Sequence, residues 1–143
     1  MTKSQHTPDF SLDAASRFVA ASGFVIDEVT ETSLTGHVEL GVDHLTPWGV
    51  VHGGVYATIV ESAGSVAASR AVLERGQFAV GVNNSTDFLR PSTGGRAVVE
   101  ATVLHQGRTQ QLWQVIITDE ASWKVLARGQ LRLQNVPLPQ SGE

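Results

Sequence analysis

The strongest constraint in this sequence is a long helical run with almost no charged face. Between residues 54 and 74, Tyr56, Ile59, Val60, Ala63, Val66, Ala67 and Val72 cover a broad apolar surface. The other side is built from Ala57, Ser62, Gly64, Ser65, Ala68 and Ser69. Surface helices carry charge on their solvent side. A helix this small all round lets other backbone approach closely, so it belongs at the centre of the molecule. The run is entered through Trp48-Gly49-Val50-Val51-His52-Gly53-Gly54, a loop bounded by Pro47 and Gly49. The first amides of a helix lack intrahelical acceptors and sit at its positive end, which suits a developing negative charge. Glu61 is the lone acid in the apolar part of the run, and its neighbours Ala57, Val60 and Gly64 argue against an exposed face. The active site is expected in this stretch.

The rest of the chain reads as strands that can wrap such a helix. Residues 24–30 and 34–40 form two short strands; in the second, Leu34, Gly36, Val38 and Leu40 alternate with Thr35, His37 and Glu39. After Arg75-Gly76, strands are expected over 78–89, 96–105, 109–118 and 123–135, with turns at Ser92-Thr93-Gly94-Gly95, Gln106-Gly107-Arg108 and Asp119-Glu120-Ala121-Ser122. The final connections are short, so neighbouring strands are expected to pair antiparallel. Ser11 is expected to cap a short helix over 12–21, with Leu12, Ala15, Phe18 and Val19 on one face. Residues 1–9 and 137–143 read as loose ends. The expected fold class is α+β: a curved antiparallel sheet of about six strands wrapped on the long central helix. All 143 residues read as one domain, its core over 20–135.

Composition excludes several functions. There is no cysteine, hence no disulfide framework and no thiolate nucleophile or ligand. A net charge of −4 argues against a nucleic-acid surface. No stretch is long and apolar enough to span a membrane, and the first residues carry no apolar signal segment, so a cytoplasmic location is expected. His44, His52 and Glu61 lack metal-ligand spacing, so no metal is expected. No GxSxG elbow, phosphate loop or dinucleotide fingerprint is present.

The order strand, strand, loop, His-Gly-Gly, helix, four strands resembles the hotdog fold. The motif resembles that of PaaI-type acyl-CoA thioesterases over residues 20–135. The matching text is Trp48 to Gly54, then Glu61 nine residues after His52, Gly81-Val82-Asn83, Phe88-Leu89-Arg90-Pro91, Gly107-Arg108-Thr109 and Leu126-Ala127-Arg128-Gly129-Gln130. Glu at the acid position resembles the Arthrobacter-type 4-hydroxybenzoyl-CoA thioesterases. Residues 80–90 and 111–119 resemble actinobacterial relatives linked to 1,4-dihydroxy-2-naphthoyl-CoA. One position departs from the pattern: six residues before His52, where the family has Asn or Gln to orient the thioester or water, stands Thr46. Its hydroxyl substitutes, a neighbour such as His44 or Asn83 takes the role, or activity is lower.

The chemistry the residues allow is thioester hydrolysis. Glu61 is the candidate general base, a role worth about 10²–10⁴-fold, or the nucleophile that forms a mixed anhydride. The N–H of Gly53 or Gly54 is the candidate oxyanion donor. Ser65, one turn beyond Glu61, can hydrogen-bond water or the carboxylate, and His52 orients the loop or carbonyl. The resemblance implies that Asn83 approaches the thioester in a dimer partner's site, and that Arg90, Arg108 and Thr109 hold the nucleotide or pantetheine arm. Arg128 and Arg132 are weaker candidates for that arm. No cofactor is expected, CoA being part of the substrate. The expected partner set is an acyl-CoA, most simply an aromatic one, and further copies of the chain in a homotetramer. The rival readings are a non-catalytic acyl-CoA-binding protein, a medium-chain fatty acyl-CoA thioesterase and a hotdog hydratase.

Overall fold

The structure is a computed structural model, which describes residues 16–139. The predicted cap Ser11 and the face residues Leu12 and Ala15 lie outside the described residues. Within them, α1 is Arg17–Ala21, capped by Ser16, whose hydroxyl accepts from the Val19 N–H. Phe18, expected on a packing face, is instead 73% exposed. Strands β1 (Val25–Val29) and β2 (Ser33–Leu40) pair antiparallel, and β2 buries Leu34, Gly36, Val38 and Leu40 as their alternation predicts.

A small hairpin follows, Leu45 bridging Val51. Its tip is Thr46-Pro47-Trp48-Gly49: the Gly49 N–H donates to Thr46 O at 2.9 Å, and Gly49 takes φ +79°. Proline at the second position of a turn closed by a left-handed glycine is the local chemistry that reverses the chain here. The central helix α2 (Gly53–Val72) begins directly after it and ends in a 3-10 turn, Leu73–Arg75, stopped by Gly76 at φ +71°.

Strands β3 (Gln77–Phe88), β4 (Gly95–Gln106), β5 (Gln110–Asp119) and β6 (Val125–Pro137) complete one antiparallel sheet of order β1-β2-β4-β5-β6-β3. The short turns pair β4 with β5 and β5 with β6 as expected. The β3–β4 connection does not make a hairpin: β3 crosses over to pair with β6 and becomes an edge. Pro137, read as part of a loose end, closes β6 opposite Gln77, and Leu138 after it is buried. Trp123, read as the first residue of the last strand, instead sits in the β5–β6 turn at φ +58°.

The sheet wraps α2 so tightly that glycines are required at the contacts. A Cβ on Gly64 would lie 2.6 Å from Leu131 Cδ2, and one on Gly129 would lie 2.8 Å from Val60 Cγ1. Ile59, Val60, Ala63, Ala67, Trp113, Val115, Leu131 and Leu133 are buried between them. One buried polar chain crosses this core. The Trp113 indole donates to Gln111 Oε1 at 2.9 Å, and the Gln111 amide donates to Ala68 O at 3.0 Å and to Asn135 Oδ1 at 2.8 Å. Every link is satisfied, as a buried network must be to avoid costing stability.

Candidate active site

Strand β3 runs antiparallel along α2 and sets the depth of each residue of the site. Near the C-terminal end of α2, the Ser69 hydroxyl accepts from the Ala79 N–H at 3.0 Å. In the middle, the Glu61 carboxylate lies against Gly81, where a Cβ would meet its oxygens at 2.9 and 3.0 Å. A bulge follows, since Gly81 pairs with Leu133 and Asn83 with Arg132, leaving Val82 unmatched. Beyond it Asn84 turns to the helix and donates to Ala57 O at 3.0 Å. At the N-terminal end the Phe88 ring covers Gly53 and lies 6.3 Å from the Tyr56 ring, centroid to centroid.

The helix start separates its two glycines. His52 is the N-cap, and its Nδ1 accepts from the Gly54 N–H at 2.8 Å. That occupies Gly54 as a donor and leaves the imidazole proton on Nε2, on an exposed ring. The Gly53 N–H has no acceptor among the described residues. Of the two candidate oxyanion donors, Gly53 is therefore the open one. A glycine is also required there, because a Cβ would stand 2.6 Å from the Phe88 ring.

Glu61 departs from its expected setting. It is exposed in the single chain rather than enclosed by Ala57, Val60 and Gly64, because its side chain emerges along the outer edge strand β3. Among the described residues it has no salt-bridge partner. Ser65, half-buried one turn further along α2, shares its side of the helix.

Thr46 sits at the hairpin tip, where its hydroxyl accepts from the Trp48 N–H at 3.3 Å. His44, offered above as a stand-in for it, is excluded from that role. It is buried with both ring nitrogens engaged: Nδ1 accepts from the Gly41 N–H at 3.1 Å and Nε2 donates to Ala21 O at 2.9 Å. Asn83 is exposed on β3, two residues beyond the Glu61–Gly81 contact.

The three residues expected at the nucleotide arm do not converge within one chain. Arg90 follows β3 at the Gly53 end of the helix. Arg108 and Thr109 lie in the β4–β5 turn, whose Gly107 and Arg108 carbonyls accept from the Asn135 amide at 3.3 Å. That turn is tied through Asn135 and Gln111 to Ala68, about 22 Å along the helix from Gly53 at 1.5 Å rise per residue. The structure also adds two residues. Tyr56 and Phe88 line a cavity of about 220 Å³ with Gly53 and Arg90. Tyr56 lies one helical turn past Gly53, and Phe88 opens the Phe-Leu-Arg-Pro text, so both stood beside the signals already noted. The Tyr56 hydroxyl is buried without a hydrogen-bond partner among the described residues. Burial pushes this phenol up; the neighbouring Ser92 hydroxyl, outside hydrogen-bond geometry, opposes the shift, and the charge of Asp119 adds to it.

The profile of the thioesterase superfamily matches residues 49–123, from the hairpin tip to the β5–β6 turn. Rv1847 of Mycobacterium tuberculosis, provisionally named an esterase, is 51% identical over 90 residues, 62% of this chain; that stretch spans 64% of the relative's length. Its solved structure superposes with a TM-score of 0.81 at 41% identity, covering 85% of this chain and 98% of that one. The Arabidopsis thaliana protein named 1,4-dihydroxy-2-naphthoyl-CoA thioesterase 2 is 32% identical over 110 residues, 76% of this chain and 67% of that one. The solved structure of thioesterase HI1161 from Haemophilus influenzae gives a TM-score of 0.81 at 27% identity, covering 99% of this chain and all of that one. With the six-stranded sheet wrapped on α2, these matches place the chain in the thioesterase superfamily, in its hotdog fold.

Proposed function

We propose that this chain hydrolyses an acyl-CoA thioester with an aromatic acyl group, of the hydroxybenzoyl or dihydroxynaphthoyl type. The observation that carries the proposal is that, among the described residues, the Gly53 N–H at the positive end of a 20-residue helix has no acceptor, and a carboxylate two turns along the same helix has no salt-bridge partner. The thioester carbonyl oxygen accepts from Gly53 N–H as negative charge develops on it, and His52 Nε2 supplies a second donor. Such donors are worth about 10²–10³ in rate each. Glu61 takes a proton from water as the water oxygen bonds to the carbonyl carbon, or attacks that carbon itself and is regenerated by water. Either way the C–S bond breaks, the electron pair leaves on sulfur, and the thiol is reprotonated. The name of the Arabidopsis relative supports an aromatic acyl-CoA.

The assembly belongs to the same proposal. A carboxylate open to water is a poor site for this chemistry, and Glu61 emerges beside the free edge of β3, where Val80 and Val82 are exposed. Pairing of β3 with the same strand of a second copy covers both and brings the partner's Asn83 toward Glu61. Two such dimers make the homotetramer, which works in the cytoplasm.

The test is thiol release from benzoyl-, hydroxybenzoyl-, dihydroxynaphthoyl-, phenylacetyl- and medium-chain acyl-CoA. Turnover by the wild type, fastest on an aryl ester and lost by at least about 100-fold in Glu61→Gln and Glu61→Ala, supports the reading. Wild-type turnover in both variants removes Glu61 from the mechanism. Tight binding of the esters with no thiol released, the result that a non-catalytic role for the Thr46 variant of the motif predicts, removes the activity.

A further inference from the structure

The Gly53 cavity does not end at the helix. Arg90 and Pro91 line it on one side and also line a second, larger cavity of about 450 Å³, between the β3–β4 loop and the β5–β6 turn. That volume is in the range of small-molecule sites. Its walls differ from those of the first: Arg90 and Lys124 bring two cations, and Ser92, Thr93 and Ser122 bring hydroxyls. Among the described residues neither cation has a carboxylate within 4.0 Å. The one acid in the wall, Asp119, is already occupied, since its Oδ2 accepts from the Ser122 N–H at 2.9 Å and the Ser122 hydroxyl at 2.7 Å. Between Ser122 and Lys124 stands Trp123, 69% exposed and held at φ +58° by its N–H donating to Asp119 O at 2.8 Å. A bulky residue at positive φ is uncommon, and such outliers gather at ligand-binding positions.

We infer that this polar cavity binds the phosphate-bearing nucleotide end of CoA, with Lys124 and Arg90 contacting phosphate oxygens and Trp123 at the lip offering a face to adenine. The inference rests on the acyl-CoA reading above and names residues, Lys124 foremost, that the motif text does not contain. Because Arg90 and Pro91 line both cavities, a carrier arm that follows this shared wall from a carbonyl held at Gly53 N–H reaches the second one. Two cations and a set of hydroxyls there suit phosphate oxygens, and an exposed indole suits a base.

Two measurements on the full chain test it, one independent of turnover. In calorimetric titration with adenosine 3′,5′-bisphosphate, the wild type and Lys124→Arg bind, while Lys124→Glu and Lys124→Gln bind at least about tenfold more weakly. Absence of binding to the wild type, or equal binding by all four proteins, overturns the site. In kinetics, the preference for an acyl-CoA over the same acyl-pantetheine, taken as the ratio of kcat/KM values, falls about tenfold in Lys124→Glu. An unchanged ratio overturns the site while the hydrolase reading stands. If the nucleotide binds in a Lys124-dependent way but no thioester is cleaved, the cavity assignment stands and the hydrolase reading falls.

Discussion

At the scale of single residues the site depends on what each polar atom is already doing. His52 uses its Nδ1 on Gly54 and so decides which amide stays open. His52→Ala removes an N-cap and is expected to cost about 1 kcal/mol of stability, as well as slowing turnover through loss of the Nε2 donor; chemical denaturation and CoA release read the two effects separately. Tyr56 gives the opposite sign. Its hydroxyl is buried, in a residue 2% exposed, with no partner among the described residues, so Tyr56→Phe is expected to stabilise the fold by about 1 kcal/mol at neutral pH. Burial raises the phenol above its ordinary value of 10.0 in the folded chain. Its share of stability is therefore complete below the unfolded pKa and is lost as pH climbs through the raised one. Unfolding curves across the alkaline range should flatten in Tyr56→Phe. If the variant is less stable than wild type at pH 7, the hydroxyl has a partner after all. Trp123 carries strain of another kind: Trp123→Gly suits φ +58° and is expected to raise stability by about 1 kcal/mol, at a cost in nucleotide binding if the polar cavity holds CoA.

At the scale of elements, α2 and β3 are matched along their whole lengths. The uncharged faces of α2 were legible in its small residues, because close approach demands missing side-chain volume, and Gly64 and Gly129 are where it is demanded. Gly129→Ala places a Cβ 2.7 Å from Thr86 Oγ1 and 2.8 Å from Val60 Cγ1. Thermal unfolding should show it destabilised by about 1–3 kcal/mol, and Val60→Ala in the same chain should restore part of the loss. The alternation of β2 and β4 was equally legible, since one face meets the helix. The bulge at Val82 was not. It depends on where β3 meets β6, 49 residues later in the chain for the Asn83–Arg132 pair and 52 for the Gly81–Leu133 pair, and it is what turns Asn84 rather than Asn83 to the helix. Nor was the end of the last strand: Pro137 reads as a breaker, yet at the start of the edge pairing with Gln77 it needs no amide of its own.

At the scale of the whole molecule, the crossover that makes β3 an edge leaves Glu61 beside a strand whose outer side has no neighbour among the described residues. Long free edges are covered in native assemblies, and an isologous pairing repeats the site twice. Light scattering is expected to give a tetramer, and a Pro at Val82, on the free edge, is expected to shift the mass downward and lower turnover together. A monomer with full activity would remove the cross-subunit site. By itself the sequence determined the central helix, the strands around it and the pairing of a His-Gly-Gly turn with one acid, because helix caps, turn chemistry and side-chain periodicity are written in consecutive residues. Only the tertiary structure decided that Gly53 and not Gly54 is open, that His44 is committed to the backbone, that Glu61 lies exposed, and that Arg90 and Arg108 stand at opposite ends of α2. Each of those depends on strand order and register, which bring together residues that no local pattern relates.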